Sequence, residues 1–210
     1  MRTVEVSTAV NANVRQLGTV DLDASAVVAE VGAVPVAVSA TCVATEYGDN
    51  LIHKTVLTCT ALPISVADDA GVAQYGGVKV YTFPEGLICT FGAIIRGDLT
   101  LGTTGTIIDA FTGVNALGSV VATTGATLVS TEATWLQSTA NGTASSKVAA
   151  ISSVSVATAL TETASRIYDG TATPGPVFLN FAIADDVTHT AGSGSFTGTI
   201  TLAWMKVGDK

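Results

Sequence analysis

Apolar and polar residues alternate with a period of two along much of this 210-residue chain. That is the pattern of pleated strands, whose side chains point to opposite faces in turn. In "TVLTCTAL" (55–62), Val56, Thr58 and Thr60 alternate with Leu57, Cys59 and Ala61, and β-branched residues at this period favour a strand. Pro63 is expected to end it, and "ADDAGVAQYGG" (67–77) reads as a polar, glycine-rich loop. "GVKVYTF" (77–83) resumes as a strand, and Phe83-Pro84-Glu85-Gly86 fits a tight turn. Proline presets φ at the second turn position and glycine tolerates the fourth.

Beyond that turn, Leu87, Cys89, Phe91, Ala93 and Ile95 fall on one side, with Ile88, Thr90, Gly92 and Ile94 on the other. Both sides are largely apolar, which predicts a strand covered on both faces. Tyr81, Phe83, Leu87 and Phe91 are therefore the candidate contact residues for a neighbouring subunit or other protein surface. Further strands are expected at 106–111, 116–123, 126–130 and 134–139, and more weakly within 145–168. At the C-terminus, "PVFLNFAIA" (176–184) and "SFTGTITLAWMKV" (195–207) read as a hairpin. Its second strand sets Phe196, Ile200, Leu202 and Trp204 against Thr197, Thr199 and Thr201. Short strands at this spacing predict an all-β fold, an antiparallel β-sandwich of jelly-roll-like form. Residues 1–45 are Ala/Val-rich with few large anchors, and read as an extended N-terminal arm or as first strands. Residues 46–210 then form the sandwich domain.

Composition sharpens this picture. Only 12% of residues are charged, about half the usual fraction, so Thr, Ser and Gly take the surface positions. Such a surface suits closely packed neutral interfaces. A net charge of −8 opposes binding to phosphate backbones, so no nucleic-acid partner is expected. The three cysteines, Cys42, Cys59 and Cys89, form no C-x-x-C pair and read as buried free thiols, consistent with synthesis in a reducing cytoplasm. "MRTVEVSTAVNANVRQ" lacks a signal-peptide core. "AVVAEVGAVPVAVSA" (26–40) is broken by Glu30 and Pro35 and falls short of a membrane span.

The chain carries none of the common catalytic signatures. The sequence has no phosphate-binding loop, dinucleotide fingerprint, H-E-x-x-H or G-x-S-x-G element. With two histidines, His53 and His189, a triad or zinc site has little to draw on. Asp185 and Asp186 beside His189, and Asp68 with Asp69, read as solvated loops. Asn141-Gly142-Thr143 is a chance sequon. Acid pairs such as Glu132 with Asp169 are of the kind a glycosidase uses, but sequence does not give their separation, and nothing else favours catalysis. No cofactor and no metal are expected.

Three segments resemble the small β-rich structural proteins of tailed bacteriophages, those that decorate or cement capsids or form head fibres. They are "VKVYTFPEGLICTFGAII" (78–95), "IYDGTATPGPVFLNFAIADD" (167–186) and "SFTGTITLAW" (195–204). The resemblance implies a non-enzymatic protein on the outside of an icosahedral shell, bound to the major capsid protein and often trimeric. It would be made in the host cytoplasm and located on the virion. A head or tail fibre component and a carbohydrate-binding adhesin sandwich are the alternatives. The adhesin reading would require an exposed aromatic platform around Trp135 or Trp204.

Overall fold

Period-two alternation, as at Phe196, Ile200, Leu202 and Trp204, yields a fold whose regular structure is β. The exceptions among the described residues are two 3-10 turns, Val36–Val38 and Ser130–Ala133. The computed structural model describes residues 32–48, 52–68, 73–101, 113–123, 127–140, 148–156, 167–184 and 192–208. The strands are β1 (Cys42–Gly48), β2 (Ile52–Asp68), β3 (Ala73–Thr82), β4 (Gly86–Leu101) and β5 (Gly113–Gly118). They continue with β6 (Leu136–Ala140), β7 (Val148–Val156), β8 (Ile167–Gly170), β9 (Pro176–Ala184) and β10 (Gly192–Gly208).

These strands belong to one ten-stranded sheet, and every pairing in it is antiparallel. The order is β6-β5-β9-β3-β2-β10-β4-β7, with β1 added on β2 and β8 on β4. The sheet curls into a half-barrel, and β6 comes back against β7. The concave side holds the core: Leu57, Leu62, Ile64, Ile95, Leu99, Leu179, Phe181, Phe196 and Trp204 are almost fully buried.

Several sequence expectations are corrected here. The C-terminal segments are strands, but not a hairpin: β9 pairs with β3 and β5, and β10 with β2 and β4. Long β2 and β4 offer β10 far more ladder than β9 does. Pro63 does not end β2. The ladder with β1 stops at Cys59 and that with β3 starts at Val66, so Pro63 lies where one flank of β2 is unpaired and its missing N–H is tolerated. The expected loop at 67–77 shrinks because β2 and β3 run into it and pair. Phe83-Pro84-Glu85-Gly86, expected as a tight turn, is instead a bend that joins two strands not paired with each other. The strand expected at 116–123 ends at Gly118, and 126–130 leads into a 3-10 turn instead. The expected 106–111 strand lies outside the described residues, as do residues 1–31 of the expected arm.

Bulges decide which side chains face inward. In β2, Thr60 and Ala61 together oppose Thr197. Ala61 adopts φ 48°, and its N–H is taken by the Thr197 hydroxyl at 2.9 Å. Before the bulge Leu57 and Cys59 are buried; after it Leu62, Ile64 and Val66 are. The inserted residue thus moves the apolar set from odd to even positions and keeps it in the core. Val80 does the same in β3, so that Val80, Tyr81 and Phe83 are all buried. In β4 the extra residue is Phe91, which separates inward Ile88 and Thr90 from inward Ala93, Ile95 and Leu99. The simple two-sided alternation predicted for β4 is therefore wrong past Thr90. Its outer side carries exposed Phe91, Arg96 and Asp98 and is not covered along its length.

Beyond these bulges β4 and β10 meet at Gly97 and Gly198, which lie opposite each other. A Cβ on Gly198 would sit 2.2 Å from the Arg96 carbonyl oxygen, an impossible contact. Gly198→Ala is expected to cost more than about 2 kcal/mol of stability, the class of strain and overpacking effects. Urea unfolding midpoints of the variant and the parent protein check this, and an unchanged midpoint contradicts it.

Candidate functional site

The aromatic residues flanking the Pro-Glu-Gly bend converge on one point in the core. Phe83 makes edge contacts with Tyr81 at 5.6 Å, Trp135 at 5.1 Å and Trp204 at 5.4 Å between ring centroids. Such pairs each add about 0.5–1.5 kcal/mol beyond the area they bury. His53 stacks flat on Trp204, 3.9 Å away and 6° from parallel. A polar chain runs through this cluster. The Trp204 indole N–H donates to the Thr55 hydroxyl at 2.8 Å, and Thr55 donates to Glu46 Oε2 at 2.8 Å. The Tyr81 hydroxyl donates to Glu46 Oε1 at 2.5 Å and accepts the Gly32 N–H at 2.8 Å. Neighbouring strands place these groups: Glu46 and Thr55 are register partners on β1 and β2.

Burial pushes the Glu46 carboxyl above its ordinary value, while the hydrogen bonds from Tyr81 and Thr55 pull the other way. Tyr81 is pushed up too, first by burial and then by the charge of Glu46. Both carboxylate oxygens are held by side chains of the same protein, so the arrangement ties strands together.

A second polar centre fixes the loop after β5. Asn180 of β9 is fully buried. Its amide nitrogen donates to the Val120 and Glu132 carbonyls at 2.8 and 2.9 Å, and its oxygen accepts the Ala122 N–H at 3.1 Å. Glu132 accepts backbone N–H groups of Thr123 and Val129, and Asp169 accepts the Thr171 N–H and hydroxyl. Both acids that sequence marked as a possible hydrolase pair therefore hold local loop structure.

The outer side of the sheet carries the accessible candidate. Ile167, Cys89, Met205 and Ile52 lie in register across β8, β4, β10 and β2. Phe91 and Val207 sit nearby on β4 and β10, with relative exposures of 38% and 49%, and Ile167 reaches 53%. The inward neighbours Ile88, His53 and Trp204 are buried, so this apolar row belongs to the opposite face. Lys54, on the same side of β2, lies 4.2 Å from the Tyr47 ring centre, and Arg96 and Asp98 of β4 are exposed. An apolar patch edged by polar groups is the usual form of a protein contact surface.

Of the four contact residues expected from sequence, Tyr81 and Phe83 are 0% and 1% exposed, part of the core of their own chain. Leu87 is half-buried and Phe91 exposed, and only these two offer surface to a partner. Sequence reasoning missed Ile167, Met205 and Val207, which become neighbours of Phe91 only through pairing with β4. Trp135 and Trp204 are both buried and present no aromatic platform. His189, Asp185, Asp186, Asp69 and the Asn141 sequon lie outside the described residues. Among the described residues no group of three or more His, Cys, Asp or Glu side chains is placed to hold a metal ion. No helix among them is long and apolar enough to cross a membrane. Compared with family models, curated proteins and solved structures, the chain matches none.

Trp204→Ala should lower stability by about 3–5 kcal/mol by opening a core cavity and removing the N–H that the Thr55 hydroxyl accepts; an unchanged denaturant midpoint would show that Trp204 is not a core anchor. Glu46 supplies a pH test. Its folded pKa lies above the ordinary value of 4.5, so the folded state binds this proton more tightly than the unfolded chain. The resulting stability is fully present below that unfolded value and is lost as pH rises through the raised folded value. Stability measured from pH 4 to 7 is expected to lose this component in the native protein and not in Glu46→Gln. Parallel profiles for the two proteins would contradict it.

Proposed function

We propose that this protein is a non-enzymatic structural component of a tailed-phage virion that binds the outside of the capsid and stabilises it. The observation that carries the reading is the accessible apolar row of Ile167, Cys89, Met205 and Ile52 with Phe91 and Val207 beside it. A decoration protein needs a surface that prefers the assembled lattice over free shell subunits. Binding one state selectively stabilises it by linkage.

The three segments that resemble phage structural proteins support the same reading by their place in the fold. They fall in β3, β4, β8, β9 and β10, and they bring Cys89, Phe91 and Ile167 to the apolar row. On this reading the curled sheet is a variant of the jelly-roll-like sandwich. The partner is the major capsid protein, and the protein acts as a homo-oligomer, with a trimer favoured.

Quantitative mass spectrometry of purified particles tests the proposal directly. Decoration requires a copy number in simple ratio to the major shell protein. A few copies per particle would make it a fibre or tail part, and complete absence would remove the virion reading. Phe91→Asp and Ile167→Asp, both at exposed sites, should leave folding intact and reduce binding to shells lacking the protein by tenfold or more, roughly the effect of losing an apolar contact of 1.4 kcal/mol.

A further inference from the structure

Cys42 and Cys59 face each other across the β1–β2 ladder. The neighbouring pair, Thr41 and Thr60, is joined by a backbone hydrogen bond of 2.7 Å from the Thr60 N–H to the Thr41 carbonyl. Antiparallel ladders alternate, so Cys42 and Cys59 form a non-hydrogen-bonded pair, in which side chains on one face approach most closely. Both thiols are free and both residues 1% exposed. Cα separations in such a pair fall at the short end of the range that a disulfide spans. Cys89, half-buried on the outer side of β4, takes no part.

We propose that Cys42 and Cys59 form a redox latch: a dithiol under reducing conditions that closes to a cross-strand disulfide and pins β1 to the sheet. This does not depend on the capsid reading. Among the described residues β1 is paired only through β2, yet it carries Glu46, the centre of the bridge to Tyr81 and Thr55. A covalent tie four residues before Glu46 holds that bridge in place.

The oxidant required is a low-molecular-weight disulfide. Cys42 lies on β1, the strand that opens, so it is the sulfur that meets the reagent first. As β1 opens, the Cys42 thiolate attacks one sulfur of the reagent and expels its first thiolate, which takes a proton. Cys59 then loses its proton to solvent and attacks Cys42 Sγ in the mixed disulfide, expelling the second thiolate. One reagent S–S bond breaks and one protein S–S bond forms; two protein thiols are oxidised and two reagent thiols are released.

The test uses the full chain carrying Cys89→Ser, so that only the pair remains. Refolding from urea in glutathione buffers of graded ratio gives the reagent access to both thiols. Trypsin cuts after Lys54, between the two cysteines, so a non-reducing digest shows the link as joined peptides 16–54 and 55–79. The linked fraction should be at least about tenfold greater in refolded protein than in urea at the same glutathione ratio. The oxidised protein should melt roughly 5–10 °C higher than the reduced one, as expected for closing a loop of this size. Equal linkage in the two conditions would overturn the preorganised pair, and an unchanged or lower melting temperature would overturn the latch.

Discussion

One buried chain of hydrogen bonds holds the central strands to one another. It runs from the Trp204 indole through Thr55 to Glu46, and from Glu46 through Tyr81 to the backbone of Gly32. The chain crosses β10, β2, β1 and β3, and it reaches the segment that precedes β1. Polar groups inside a core are costly unless satisfied. Here each hydroxyl both accepts an N–H and donates to the carboxylate, so the order of partners is determined. A slip of any one strand by one residue would break a link, which makes the network a register lock for the half-barrel.

The aromatic cluster stands on that lock. Phe83 touches Tyr81, Trp135 and Trp204, and Trp135 donates to the Pro176 carbonyl at 3.0 Å. This answers why a chain poor in aromatics puts Tyr81 and Phe83 around a Pro-Glu-Gly bend. They are carried into the core where β3 ends and the chain crosses to β4. At the other end of the sheet Asn180 works in the same way, joining β9 to the loop after β5 and to the 3-10 turn at Glu132. Gly77, its register partner on β3, leaves the space its side chain occupies: a Cβ there would lie 2.1 Å from Asn180 Oδ1.

The functional proposal and the latch draw on opposite faces of the same sheet. The concave side is devoted to packing and to the buried networks, including the Cys42–Cys59 pair. The outer side carries the apolar row that a capsid protein or another subunit would cover. That division follows from the bulges. Without the extra residue at Phe91, inward Ile88 and Thr90 could not share a face with Ala93 and Ile95.

The all-β class was legible in the chain itself, because β-branched and small residues at period two leave helix little support. The buried stripe of Phe196, Ile200, Leu202 and Trp204 could also be read directly, since β10 keeps one alternation across it. Local chemistry likewise placed the bend at Pro84 and the apolar character of the segment after it. The tertiary structure alone decided which strands pair, that β9 and β10 lie apart, and that Pro63 sits inside a strand. Pairing energy is collected between residues far apart in sequence, and no local pattern records it. The same holds for the site: Phe91 announced itself as an aromatic in an apolar run, whereas Ile167, Met205 and Val207 meet it only through the ladders of β4. A one-residue bulge reverses inward and outward for everything beyond it, and only the partner strand reveals where that residue is inserted.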